Sequence, residues 1–307
     1  MGGIWSLNDV FIKTMFMNSR IRTYFEAIKF EHTVFALPFA YIGMLLAAAG
    51  WPGWTDFILV TIAMAGARTG AMAANRVIDA AIDARNPRTN NRAIPAGIMS
   101  KKEMTSLAII GFVMLHLAAW QLNATALKLA PLAALMVTIY PYAKRFTWSS
   151  HWCLGLADSV AAVGGWIAIR GEFGWSTVLL ALAMMFWIAG FDVVYSCQDV
   201  DVDRSQGLYS IPARFGIDSA LWVSRLSHLV TVVCLIALGL TYRVDDNELG
   251  WPYWIGVGMV VLLLIYEAAL VRANDLSKLQ KAFFDMNGII SIVLLGAVIL
   301  GLVVGLN

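Results

Sequence analysis

Nine stretches of mostly apolar residues, separated by short polar interruptions, run through this 307-residue chain, near 32–50, 54–80, 103–123, 125–143, 151–169, 175–198, 217–242, 252–271 and 282–305. A helix needs about 20 such residues to cross the hydrocarbon of a bilayer. Each stretch has about that length. The pattern predicts an all-α fold, a multi-pass membrane helix bundle of about nine transmembrane helices. It forms one domain over residues 1–307, with residues 1–25 as a cytoplasmic N-terminal surface segment. That segment carries Lys13 and Arg20 and reads as lacking the apolar run and cleavage site of a secretory signal.

Composition sharpens this picture. Hydrophobic residues make up 60% of the chain and charged residues only 14%, where a soluble domain carries about a quarter charged residues. The mean hydropathy is +0.71. A soluble protein is excluded on these grounds, and nothing in the pattern suggests a nucleic-acid partner. Cys153, Cys197 and Cys234 fall within or beside apolar stretches at spacings that suit neither zinc nor a disulfide framework. The net charge of +2 says little, but its distribution says more. With nine spans, Arg85, Arg88, Arg92, Lys101, Lys102, Lys144, Arg145, Arg204 and Arg214 share one face with Lys13, Arg20, Arg22, Lys29, Arg272, Lys278 and Lys281. The other face holds Lys128, Arg170 and Arg243 beside Asp245, Asp246 and Glu248. The positive-inside rule makes the basic face cytoplasmic, with the C-terminus outside.

Two constellations on that face carry candidate chemistry. Asn75, Asp79 and Asp83 recur every four residues, as do Tyr195, Asp199 and Asp203, with Asp192 two turns before Asp199. This spacing predicts a ladder of oxygen ligands along one helix face. Carboxylates near an apolar span are costly and usually have a functional partner, and a cation relieves their mutual repulsion. Magnesium suits them, because it takes one or two carboxylates together with substrate phosphates. Bases follow each ladder: Arg88 and Arg92 after the first, Arg204 and Arg214 after the second. Lys144 and Arg145 end the fourth span. Guanidinium groups match phosphate oxygens, so metal and bases together would hold a diphosphate. Arg68 lies seven residues before Asn75, about 10 Å deeper by helix rise. It is a candidate clamp for a substrate carboxylate, or a structural partner of Asp158 or Asp192. His32, His116, His151 and His228 read as structural. Glu267 and Asp285 are expected to pair with nearby bases. A membrane transporter is the rival reading, since buried acids suit one, but it predicts acids near the midplane.

The two motifs, Asn75-x3-Asp79-x3-Asp83 and Asp192-x2-Tyr195-x3-Asp199-x3-Asp203, resemble the paired acidic motifs of the UbiA superfamily of intramembrane prenyltransferases. The flanks agree: Arg88-Thr-Asn-Asn-Arg92-Ala-Ile-Pro-Ala-Gly97, Tyr140-Pro-Tyr-Ala-Lys144-Arg145 and Ser210-Ile-Pro-Ala-Arg214-Phe-Gly216. The resemblance spans nearly the whole chain from Glu26 onward. It implies a magnesium-dependent transferase of the bacterial inner membrane. A polyprenyl diphosphate ionises at its allylic carbon–oxygen bond, and an electron-rich aromatic ring attacks the cation. By this resemblance Asn75, Asp79, Asp83, Asp199 and Asp203 would form the Mg2+ shell. Asp79, Asp83, Asp199, Asp203 and Tyr195 would be catalytic. Arg88, Arg92, Lys144, Arg145 and Arg214 would bind the diphosphate, and Arg68 and Asp192 would face the aromatic acid. The expected acceptor is 4-hydroxybenzoate, in ubiquinone biosynthesis. Two features depart from the family pattern. Arg76 stands where many members have an acid. The stretch Tyr209-Ser-Ile-Pro-Ala-Arg214 resembles the branch of the futalosine-type menaquinone route, which keeps a carboxylated naphthoate open as acceptor.

Overall fold

The computed structural model describes residues 23–24, 26–28, 30–273, 275–276, 279 and 286–305, with backbone alone for residues 30–36. Most of the N-terminal segment expected over residues 1–25 lies outside the described residues, as do Lys29, Lys278, Lys281, Asp285 and the side chain of His32. Among the described residues, nine long helices follow the apolar stretches. They are α1 (Phe30–Ala48), α2 (Trp54–Ile78), α3 (Lys101–Leu122), α4 (Ala124–Ala143), α5 (Ser150–Arg170), α6 (Trp175–Tyr195), α7 (Ile217–Thr241), α8 (Trp251–Leu270) and α9 (Asn287–Gly305). From α2 onward, all eight are long and apolar enough to cross a membrane, and α1 has an apolar run over Leu37–Ala48. The chain is an integral membrane protein with a multi-pass helical bundle. Its outer face is paved with exposed Ile109, Val113, Leu117, Leu132, Leu229, Leu262 and Ile292. So large an apolar surface needs lipid as its solvent. Trp51, Trp54, Trp175 and Trp251 are exposed at helix starts, where indole rings favour the membrane–water boundary.

Local chemistry sets the helix ends. Ser100 caps α3 by a reciprocal pair: its Oγ accepts from the Glu103 amide, and Glu103 Oε2 accepts from the Ser100 amide at 2.8 Å. Asn123 ends α3 and begins α4. Its Oδ1 accepts from the Ala126 amide at 2.8 Å, and its Nδ2 donates to the carbonyls of Ile167 and Ala168 on α5. One side chain thus ties three helices at the end opposite the acidic motifs. Gly171 ends α5 with φ +68°, a left-handed conformation that glycine adopts without a Cβ penalty.

Sequential neighbours pack together, and α1 closes the bundle against α2, α5 and α9. The α1–α5 contact brings backbones together. A Cβ built on Gly43 would lie 2.0 Å from the Ala162 carbonyl oxygen, and one on Gly165 would lie 2.0 Å from that of Ala40. Small residues permit this approach, and in lipid close packing is what holds helices together. Gly43→Ala forces the two helices apart and lowers stability by about 1–3 kcal/mol. A lower melting temperature in detergent, with Gly164→Ala unchanged because nothing lies within 4 Å of that Cβ, checks this.

Candidate active site

The four-residue spacing predicts two unbroken helical faces, and here the structure differs. Helix α2 ends at Ile78, and the chain turns at Asp79 (φ −92°, ψ 1°) before one further helical turn, Ala80–Asp83. Helix α6 ends at Tyr195 and tightens into a 3-10 turn, Ser196–Asp199. It then turns at Asp199 (φ −105°, ψ 8°) into Val200–Gln206. Both acids therefore stand at matching helix breaks, in the sparsely populated bridge region where active-site residues recur. The first break coincides with an electrostatic cluster. Asp79 is buried and drawn to two bases, Lys144 Nζ at 2.6 Å and Arg145 Nη2 at 3.3 Å. Arg145 also donates to the Ile78 carbonyl at 2.7 Å, which the end of the helix leaves available. Asn75 Nδ2 donates to Asp79 Oδ2 at 3.3 Å, which keeps the first ladder in register.

The other acids are held likewise. Asp83, buried, accepts from Arg92 Nη1 with both oxygens, at 2.7 and 2.8 Å. Asp199 receives a two-pronged fork from Arg88, Nε at 2.9 Å and Nη2 at 2.5 Å. Arg88 Nη1 donates to the Tyr195 hydroxyl at 3.1 Å, and its guanidinium lies 5.2 Å from that ring's centroid. Burial pulls the Arg88 pKa down, but the hydrogen bond and charge of Asp199 carry it above the ordinary arginine value. Asn86 donates to Asp199 Oδ1 at 3.0 Å and accepts from the Arg88 amide at 2.9 Å. It thereby links the loop after the first motif to the second motif. Asp203 accepts from Ser210 Oγ at 2.8 Å, and the Tyr209 amide donates to the Lys144 carbonyl at 2.7 Å. Acids from both motifs and bases from α4 and the loop after the first motif thus meet at one end of the bundle. Arg214 is the exception. It is exposed, and among the described residues no acid pairs with it.

Beneath this cluster lies a chamber of about 400 Å³ inside the bundle, walled mainly by alanine, leucine and valine of α2–α6. Its polar wall includes Arg68, Asn75, Arg76, Arg92, Tyr140, Asp158, Asp192 and Tyr195. Of the two partners open to Arg68, the structure gives Asp158, at 3.4 Å. Asp192 is held instead by His151, Nδ1 to Oδ2 at 2.7 Å. The Ile211 amide donates to His151 Nε2 at 3.3 Å. Nε2 is thus placed to accept and Nδ1 to donate. Of the chamber's described carboxylates, Asp158 is paired with Arg68 and Asp192 with His151.

His151, read as structural, is buried and holds Asp192 in place. It lies 41 residues from Asp192, a separation at which spacing carries no signal. Asn86 was missed, although Asn86 before Pro87 marks a turn beside the first motif, and Arg76 and Tyr140 stood out only as positions in the family pattern. Among the described residues Glu267 forms no ion pair with a base. It is buried in α8, and among the described residues its Oε2 has no hydrogen-bond partner. Among the described residues no three His, Cys, Asp or Glu side chains cluster tightly enough to cage an ion. A pair of oxygen-rich motifs with few carboxylates each fits magnesium, which keeps waters and completes its shell with substrate phosphates.

Residues 36–289 match the UbiA prenyltransferase family. The chain is 28% identical over 256 residues to a 4-hydroxybenzoate octaprenyltransferase of Vibrio campbellii, covering 83% of this chain and 88% of that one. It is 28% identical over 278 residues to the enzyme of that name from Marinobacter nauticus, covering 88% and 92%. Among solved structures, a UbiA homolog from Aeropyrum pernix superposes with a TM-score of 0.79 at 34% identity, over 88% of this chain and 97% of that one. A UbiA homolog from Archaeoglobus fulgidus bound to DMAPP and Mg2+ shares the fold with a TM-score of 0.68 at 18% identity, over 92% and 99%. This chain belongs to the UbiA prenyltransferase family.

Proposed function

We propose that this protein transfers a polyprenyl group from its diphosphate to 4-hydroxybenzoate, with Mg2+, at a site facing the cytoplasm of a bacterial inner membrane. One observation carries the reading: two acid motifs at matching helix breaks, each pre-paired with bases, cap an apolar chamber with a polar wall. The acids stand at helix ends on one side of the bundle, where the transporter alternative requires them near the midplane.

Asn75, Asp79, Asp83, Asp199 and Asp203 would hold the metal. When bound, magnesium neutralises charge on the diphosphate oxygens and makes the group a better leaving group. Acids that hold the metal would no longer hold their bases. Lys144, Arg145, Arg88 and Arg92, each within 3.3 Å of an acid in the structure, turn to the phosphate oxygens. Donors placed where charge develops are the usual source of large rate effects. The allylic carbon–oxygen bond breaks, and both electrons leave with diphosphate. The apolar chamber shelters the isoprenoid chain and its cation from water, and the Tyr140 and Tyr195 rings in its wall favour that cation electrostatically. Arg68 binds the acceptor's carboxylate. A ring carbon forms the new carbon–carbon bond and loses its proton. Asp192 is suited to take it, because it lines the chamber and is held by His151 rather than by an arginine or lysine.

The sequence of Tyr209–Arg214 favours a second acceptor, a carboxylated naphthoate. An acceptor panel with purified protein, a polyprenyl diphosphate and Mg2+ decides between them. Prenylated 4-hydroxybenzoate is the expected product. Product from the naphthoate alone overturns the choice of acceptor, and no product from any aromatic acid contradicts the transferase reading.

A further inference from the structure

Arg76 is a cation that the steps above do not use. It follows Asn75 near the end of α2, and its side chain is 6% exposed. Its Nε donates to the Ala27 carbonyl at 3.2 Å. Among the described residues, its two Nη groups make no hydrogen bond and no acid pairs with it. The other arginines of the chamber wall are matched, Arg68 with Asp158 and Arg92 with Asp83. A buried charge is ordinarily paired, and a guanidinium has only donors to offer. Arg76 therefore brings to the chamber wall, beside Arg92, N–H groups that no acceptor takes up among the described residues. The missing partner is an anion supplied by a ligand.

Position identifies which anion. The charged and ionisable groups that act on Arg76 are those of Arg92, Asp83, Tyr140 and Asp79, which is the end of the chamber under the acidic motifs. Arg68 lies eight residues earlier on the same helix, about 12 Å deeper by helix rise. An acceptor carboxylate held at Arg68 is out of reach of Arg76, whereas a diphosphate between the two motifs is not. We infer that Arg76 is a diphosphate-binding residue, a built-in guanidinium that gives the protein affinity for the donor's diphosphate before divalent metal is bound. The inference rests on the prenyl-diphosphate reading above and adds a metal-independent component to it.

Calorimetric titration of the purified full-length protein with inorganic pyrophosphate, in EDTA and in Mg2+, tests it. Wild-type protein binds pyrophosphate in EDTA. Arg76→Gln weakens that binding about 10- to 100-fold, the range for a hydrogen bond to a charged group, and loses less in saturating Mg2+. Arg76→Lys keeps the charge without the fork and falls between them. Melting temperatures in detergent identify any variant that fails to fold, and the Lys variant then carries the comparison. Equal affinity of wild type and Arg76→Gln in EDTA overturns the inference, as does wild-type binding that requires Mg2+. Wild-type protein that binds pyrophosphate in neither condition contradicts the donor reading itself.

Discussion

Asp199→Asn lowers kcat/KM for prenyl transfer by about 10³-fold or more, while the protein remains folded. The size follows from the position. Asp199 stands at the break between two helical segments and takes the Arg88 fork, with Asn86 beside it. The substitution keeps the shape but removes one negative charge from the proposed metal-binding shell. Loss of a single group aimed at transition-state charge costs about 10²–10³ in kcat. Here Arg88 is also left without its acid partner, so a second group is displaced by the same change. The fall therefore appears mainly in kcat, and added Mg2+ recovers little of it. Asp201→Asn is the control, since Asp201 is exposed two residues further on. It stays within about 2-fold of wild type, as surface substitutions do. Steady-state kinetics on the three proteins measure this directly.

Arg68→Met lowers turnover of a carboxylated acceptor about 10²-fold more than that of an uncarboxylated phenol. A hydrogen bond between charged groups contributes about 1.5–3 kcal/mol, equivalent to about 10–150-fold. The Asp158 contact complicates the single variant, because removing Arg68 leaves a half-buried carboxylate without its cation. That cost falls on every acceptor alike. The double variant Arg68→Met/Asp158→Asn removes the stranded charge and isolates the clamp. The predicted signature is a ratio: carboxylated over uncarboxylated acceptor falls in both variants, and overall activity is higher in the double. An unchanged ratio argues that Arg68 is a structural partner of Asp158 and no more.

The bundle was legible because lipid imposes a length. Stretches near 103–123 and 217–242 became Lys101–Leu122 and Ile217–Thr241, and little besides helix satisfies a backbone inside hydrocarbon. The acids and bases of the site were legible because charge is rare in such a chain. Asp79, Asp83, Asp199, Lys144, Arg145, Arg88 and Arg92 do converge. What spacing hid was the break in each ladder. An i, i+4 repeat is the same whether the helix continues or turns at Asp79, and the bases at that turn, Lys144 and Arg145, are 65 and 66 residues away. The Asp192–His151 contact is hidden for the same reason, as two helices must pack before it exists. Arg76 resembles a base at a helix end reaching for solvent, and only its burial against Ala27 shows otherwise.

The most direct test is a mass balance in one reaction. Purified protein, a polyprenyl diphosphate and 4-hydroxybenzoate are combined, and released diphosphate and prenylated ring are quantified together. The account predicts one prenylated ring per diphosphate in Mg2+, neither product in EDTA, and recovery of both when Mg2+ is restored. Diphosphate released without a prenylated ring, or transfer that continues undiminished in EDTA, contradicts it.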